Sequence, residues 1–329
     1  MSAASHRRWP SLLLQLLGSG LVILLLVRHA ELDRLRDAMA MVDPVWLVLV
    51  LPVRAVAVAL HELRLWLALR PWGTPPVGRV LGVGFTAGLA NTLVPLRGGD
   101  VLAVALLRAE CGVSTAAAVT AVGVASVLEA LVFGVVLMLL LLIQGAAWAA
   151  GVAEIDLGTA LRDLALITAA VTMGAAALVL ALRQLHRRAA PKAEAPPAGL
   201  LARLADAGRG LGLSTLAWNG ALAFVQVVFF LASMLVLFRA MGLDVAPALL
   251  AAGMLQAAGS LAATVLPQTL GAGQAASTVL VLASFGVPTA PALATAAMLW
   301  ATHQVVTLLL GGVPLWRRLG RLVELRRRA

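Results

Sequence analysis

The chain has 329 residues, 61% of them hydrophobic and 12% charged, with a formal net charge of +10 and a mean hydropathy of +0.98. Soluble domains carry about a quarter charged residues, so this composition excludes a soluble globular protein and describes a polytopic membrane protein. The basic excess lies in connections and at the ends, which ties it to orientation and anionic headgroups rather than nucleic acid, and the single cysteine, Cys111, excludes an internal disulfide.

In chain order, the first apolar run is 11–27, preceded by Arg7 and Arg8. It has the outline of a signal peptide, but the small-residue pattern at Ala38–Ala40 is separated from it by the charged "RHAELDRLRD", so it reads as a retained anchor helix. Further spanning runs follow at 45–67, 113–143, 160–183, 213–238 and 288–314. Two other runs, 80–110 and 248–286, are interrupted by "NTLVPLRGGD" and "LPQTLGAGQ", so each is expected to form two half-length helices meeting at a Pro/Gly break. The expected fold is an all-α polytopic membrane protein with about six full transmembrane helices plus two broken, re-entrant helix-turn-helix segments in an inverted-topology repeat.

Charge gives the orientation. Arg183, Arg187, Arg188, Lys192, Arg203 and Arg209 fill one connection, and Arg317, Arg318, Arg321 and Arg326–Arg328 end the chain, so both are expected in the cytoplasm together with the N-terminus. The connection 145–159 holds Glu154 and Asp156 without Lys or Arg, as an outside loop would. "RRAAPKAEAPPAG" has a linker's composition. The organisation read from this is a first half, 1–184, a cytoplasmic linker, 185–212, and a second half, 213–329.

The halves share a pattern. "CGVSTAAAVTAVGVASVLEALVF" from Cys111 and "FGVPTAPALATAAMLWATHQVV" from Phe285 each follow a broken segment. Aligning Gly112 with Gly286 puts Glu129 on His303 and leaves Pro95 two residues out of register with Pro267. With the charge-based orientation, one broken segment enters from the cytoplasm and the other from outside, the arrangement of an inverted repeat.

Within the first break stands Arg97. A charge at the bilayer centre costs about 2.5–3.5 kcal/mol on insertion scales, so it needs a partner or a polar cavity. Asp100 is one candidate partner, and Gly98 and Gly99 allow a close backbone approach. A guanidinium beside the free amides of a half-helix makes an anion site, and lipid phosphate is the anion available at that depth. The plainer reading is that Arg97 snorkels to the interface and pairs with Asp100 as a clip. Asn91 serves equally to satisfy a broken helix end or to bind ligand. Glu129 reads either as a hydrogen-bonded structural carboxyl or as a coupling proton site, and His303 as its titrating counterpart or as a packing residue. Gln274 is substrate-facing or a helix cap. The candidate substrate-binding set is therefore Asn91, Pro95, Arg97, Gly98, Gly99, Asp100, Glu129, Pro267, Gly271, Gln274 and His303. No catalytic residue, metal ligand or cofactor is expected.

"NTLVPLRGGDVLAVALL", then "GVS", an alanine-rich helix with an internal Glu, "LPQTLGAGQ" and "GVP" together resemble the lysylphosphatidylglycerol synthase transmembrane region, a flippase-like integral membrane family, over about residues 10–315. The resemblance implies movement of a lipid across a bilayer. Where family members follow the glutamate matching Glu129 with an arginine and later an aspartate, this chain has Ala130 and Phe133, and where the second motif ends in a glutamate it has Gln274. Those departures remove ionisable positions from any charge network copied from the family. No aminoacyl-transferase domain follows the match, so lysine-transfer chemistry is not expected.

Three functions compete. The first is a translocase for an anionic or polyprenyl-type lipid in a bacterial inner membrane, with the bilayer and an envelope lipid or glycan enzyme as partners. The second is a membrane glycosyltransferase or other lipid-modifying enzyme using a polyprenyl-phosphate substrate, with Glu31 and Asp33 or Glu154 and Asp156 holding a divalent metal. The third is a non-transporting accessory subunit.

Overall fold

A computed structural model describes residues 32–93, 98–151, 211–265 and 271–328, with positions 24, 25 and 28. The expected helix 160–183, most of the linker, and the anchor run 11–27 apart from positions 24 and 25 lie outside these residues. So do Pro95, Arg97 and Pro267.

Among the described residues there are nine α-helices and no strand. They are α1 (Leu32–Ala40), α2 (Pro44–Leu69), α3 (Val77–Leu93), α4 (Gly98–Cys111), α5 (Thr115–Gly151), α6 (Leu213–Ala240), α7 (Ala248–Val265), α8 (Ala272–Ala283) and α9 (Thr289–Arg328). Four of them, α2, α5, α6 and α9, are long and apolar enough to cross a membrane. Each broken run is a helical hairpin, α3 packed on α4 and α7 packed on α8.

Local chemistry explains the boundaries. Asp43 caps α2 by accepting from Val45 N at 2.8 Å and Trp46 N at 3.4 Å, with Pro44 in the first turn where its missing N–H is harmless. Ser114 Oγ accepts from Ala117 N at 3.1 Å and starts α5. The two Gly-Val pairs behave alike: Gly112 (φ +69°) and Gly286 (φ +76°) both take the left-handed conformation that turns the chain out of a short helix and into a long one. Two segments differ from the sequence expectation. The charged stretch after the anchor run, where no helix is expected, contains α1, which packs on α9. α9 continues through Pro314 into the basic tail, where Arg318 is anchored by bonds to Glu110, Gly82 O and Thr86.

Two apolar clusters hold the bundle. One unites Val50 of α2 with Val227, Met234 and Leu237 of α6, Leu255 of α7, Leu282 of α8 and Leu299 of α9. The other joins Leu65 and Leu69 of α2 to Val83 of α3, Leu107 of α4 and Ala118 of α5. α2 thus belongs to both. The outer surface stays apolar, with Leu142 72% and Ile143 74% exposed, which acyl chains would cover and water would not.

Contacts mark two ends of the bundle. At one, Asp43 N donates to Ala240 O at 2.8 Å, Leu250 N to Gln144 Oε1 at 3.2 Å and Trp148 Nε1 to Ser284 O at 2.9 Å. At the other, Arg79 donates to Glu110 O at 2.8 Å and Arg318 to the Glu110 carboxylate. The open ends of the α3–α4 hairpin therefore meet at the second end, and those of the α7–α8 hairpin at the first.

Candidate functional site

Charged side chains inside apolar helices are costly unless neighbours satisfy them. Glu129, Gln226 and His303 each fall midway along the membrane-crossing parts of α5 (Thr115–Ala146), α6 and α9 (Thr289–Arg318), and Arg54 and His61 flank the middle of α2. A layer of polar groups therefore crosses the bundle at half height.

Arg64, in the last third of α2, ties it together. The residue is fully buried, and every guanidinium nitrogen has a partner: Nε donates to Asn219 Oδ1 at 3.1 Å, Nη1 to Gln226 Oε1 at 2.6 Å and Glu129 Oε2 at 3.0 Å, and Nη2 to Ala125 O. Asn219 Nδ2 returns a bond to Arg64 O at 2.9 Å. Four of its five N–H donors are thus used, and partners of this kind are what a buried guanidinium requires. His61 Nδ1 donates to the same Glu129 Oε2 at 2.8 Å. Yet His61 and Glu129 keep 36% and 28% of their side-chain surface accessible, whereas Arg64 keeps none. The pair is thus the accessible edge of an otherwise closed cluster.

Glu62 leads from this cluster toward the first hairpin. It is buried, faces the charges of His61, Glu129 and Asp100, and occupies the space a side chain at Gly84 of α3 would take. Asn91 and Asp100 come together there. Asn91 Nδ2 donates to Asp100 Oδ1 at 2.9 Å, and Asn91 Oδ1 accepts from Gly99 N at 2.7 Å, satisfying an amide in the first turn of α4. A Cβ on Gly99 would strike Ala87 O and the Asn91 side chain, so the close approach made there is between α3 and α4. Gly98 stands beside it at the start of α4.

In the second hairpin, Gly271 (φ +65°) precedes α8 with no side-chain cap. A Cβ there would meet the Trp300 ring at 2.7 Å. Gln274 lies in the first turn of α8, partly buried, with its carbonyl accepting from Ser277 Oγ at 3.1 Å. His303 lies one turn beyond Trp300 on α9, and the charge it faces is Arg54. Glu129 and His303, aligned in the sequence, thus occupy equivalent depths but different surroundings, the first in a hydrogen-bonded network and the second, among the described residues, without a partner for Nδ1.

Sequence reading missed Arg54, His61, Glu62 and Arg64. The signal was present in "VRAVAVALHELRLW", where residues 54 and 61 are seven apart and share one helix face, but the hydrogen-bond partners of His61 and Arg64 lie on α5 and α6. No curated protein and no solved structure matches the chain. The family model described as the lysylphosphatidylglycerol synthase TM region matches residues 12–311. That match takes in α2, α5 and α6, both hairpins and α9 as far as residue 311, and the chain belongs to this family of multi-pass membrane domains.

Proposed function

We propose that the chain is a lipid translocase that moves an anionic or polyprenyl-type lipid between leaflets, its headgroup travelling along the half-height polar layer while the tails stay among acyl chains. The observation that carries this reading is the His61–Glu129 edge: ionisable groups held 2.8 Å apart in mid-span, anchored by buried Arg64, and still accessible. The hairpins add support. Their open ends meet at opposite ends of the bundle, as re-entrant segments of an inverted-topology repeat would, and the left-handed Gly112 and Gly286 turns recur in the same places of the two halves. Arg70, Arg79, Arg108, Arg317 and Arg318 gather toward the end where α2 finishes and α5 begins, and the positive-inside rule makes that end cytoplasmic.

The test is flux in sealed proteoliposomes. Fluorescent phosphatidylglycerol in the inner leaflet should become accessible to an impermeant quencher faster with the protein than in empty vesicles. Glu129→Gln, verified as folded by its elution and helicity, should fall to the empty-vesicle rate. Wild-type protein no faster than empty vesicles, or unimpaired flux by Glu129→Gln, would refute the reading.

A further inference from the structure

Glu62 differs from the acids around it. Glu129 accepts hydrogen bonds from His61 and Arg64, and Asp100 accepts one from Asn91. Glu62, beside His61 on α2, accepts none from the described residues although it is only 5% exposed. Its carboxyl meets backbone instead. Oε2 stands in the place a Cβ on Gly84 would take, so the group rests on the bare face of α3, which packs against α2. The amides of that stretch are committed to the helix and offer no donor.

The same face of α3 continues into open space. Gly84, Gly88 and Asn91 fall at i, i+4 and i+7, one stripe about 10 Å long. A Cβ built on Gly88 would have nothing within 4 Å, and that residue is partly exposed. At the far end of the stripe Asn91 holds Asp100 at 2.9 Å. The unfilled position thus lies along α3 between Glu62 and the Asn91–Asp100 pair. The charged groups that Glu62 faces are His61 on its own helix, Glu129 on α5 and Asp100 on α4, while α3 presents only glycine there.

A buried carboxylate that no donor reaches, with two other acids facing it, is disfavoured against the neutral acid. We propose that Glu62 is a proton-binding site that exchanges with water through the space beside Gly88. On uptake, a carboxylate oxygen takes the proton of a hydronium ion and leaves a water molecule, and release is the reverse. The neutral acid rests against Gly84, whereas the anion is repelled by Glu129 and Asp100, so each exchange bears on the fit of α2 against α3. Use of that proton to drive lipid movement would rest on the translocase reading, but occupancy of the site does not.

The experiment is infrared spectroscopy of the full chain in a maltoside detergent, which has no carbonyl group. A protonated carboxyl gives a C=O band apart from the amide bands, and it moves down in D2O, as the ester bands of retained lipid do not. Wild-type protein should show such a band at neutral pH, and Glu62→Gln should lose it. Gly88→Leu puts a side chain into the open space and should keep the band but slow its shift in D2O at least about tenfold, because water no longer fits there. The proposal is overturned if wild-type protein lacks the band at neutral pH. It is overturned equally if Glu62→Gln, folded as wild type by elution and helicity, retains the band, or if Gly88→Leu exchanges as fast as wild type. The band is read without transport, so its failure is separable from failure of the translocase reading.

Discussion

Arg318 and Glu110, 208 residues apart, face each other with two parallel bonds, Nε to Oε1 at 2.6 Å and Nη2 to Oε2 at 2.9 Å. Arg318 Nη1 also donates to Gly82 O at 2.9 Å, so one side chain joins α3, α4 and α9. Lysine cannot reproduce the fork. Arg318→Lys should lower the thermal unfolding midpoint in detergent by a few degrees, consistent with a loss of about 1–2 kcal/mol. An unchanged midpoint would mean that this junction does not hold the hairpin.

Removing one partner of a buried ion pair is worse than removing both. Glu129→Leu alone should destabilise by about 2–4 kcal/mol because it leaves Arg64 charged and underpaired, whereas Glu129→Leu with Arg64→Met should recover much of that loss. Flux should be lost in both. A double variant that folds and still moves lipid would detach the cluster from transport.

Close helix approaches make glycine positions unequal. Gly99→Ala would collide with Ala87 O, and Gly311→Ala with Phe85 O, so each should destabilise by about 1–3 kcal/mol. Gly123 in α5 has open space where a Cβ would go, and Gly123→Ala should be neutral or slightly stabilising. Melting midpoints of the three variants measured side by side give the ranking.

Cys111, at the end of α4, reports orientation. Burial, the largest influence, pushes its thiol above the ordinary value, with Glu110 adding to the rise and Arg79 and Arg318 opposing it. Only the thiolate reacts with maleimide, so labelling should be slow at neutral pH and accelerate as pH rises past the ordinary thiol range. An impermeant maleimide should reach it in inside-out vesicles and not in right-side-out ones. The opposite result would invert the proposed topology.

Much of the scaffold was legible before any coordinates. The runs 45–67, 213–238 and 288–314 start within a residue of α2, α6 and α9, because hydrophobicity at span length and caps such as Asp43 are local signals. That the run 80–110 holds two helices packed on each other, α3 and α4, was legible for the same reason, Pro and Gly being local punctuation. The polar layer was only half visible. Glu129 stood out in an alanine-rich run, but Arg64 is satisfied by Asn219 and Gln226, 155 and 162 residues away, and no pattern within one helix encodes such a pairing. The helical character of the basic tail escaped because its stabilising contact, Arg318 on Glu110, is equally remote in sequence.

The reciprocal Arg64–Asn219 exchange has a mechanical consequence. It locks α2 to α6 side by side, and freeing Arg64 would break five hydrogen bonds in a medium that supplies no replacements. That seam behaves as a fixed axle. Any rearrangement that leaves this seam intact must occur outside it, and Gly112 and Gly286 are the left-handed turns that join α4 to α5 and α8 to α9.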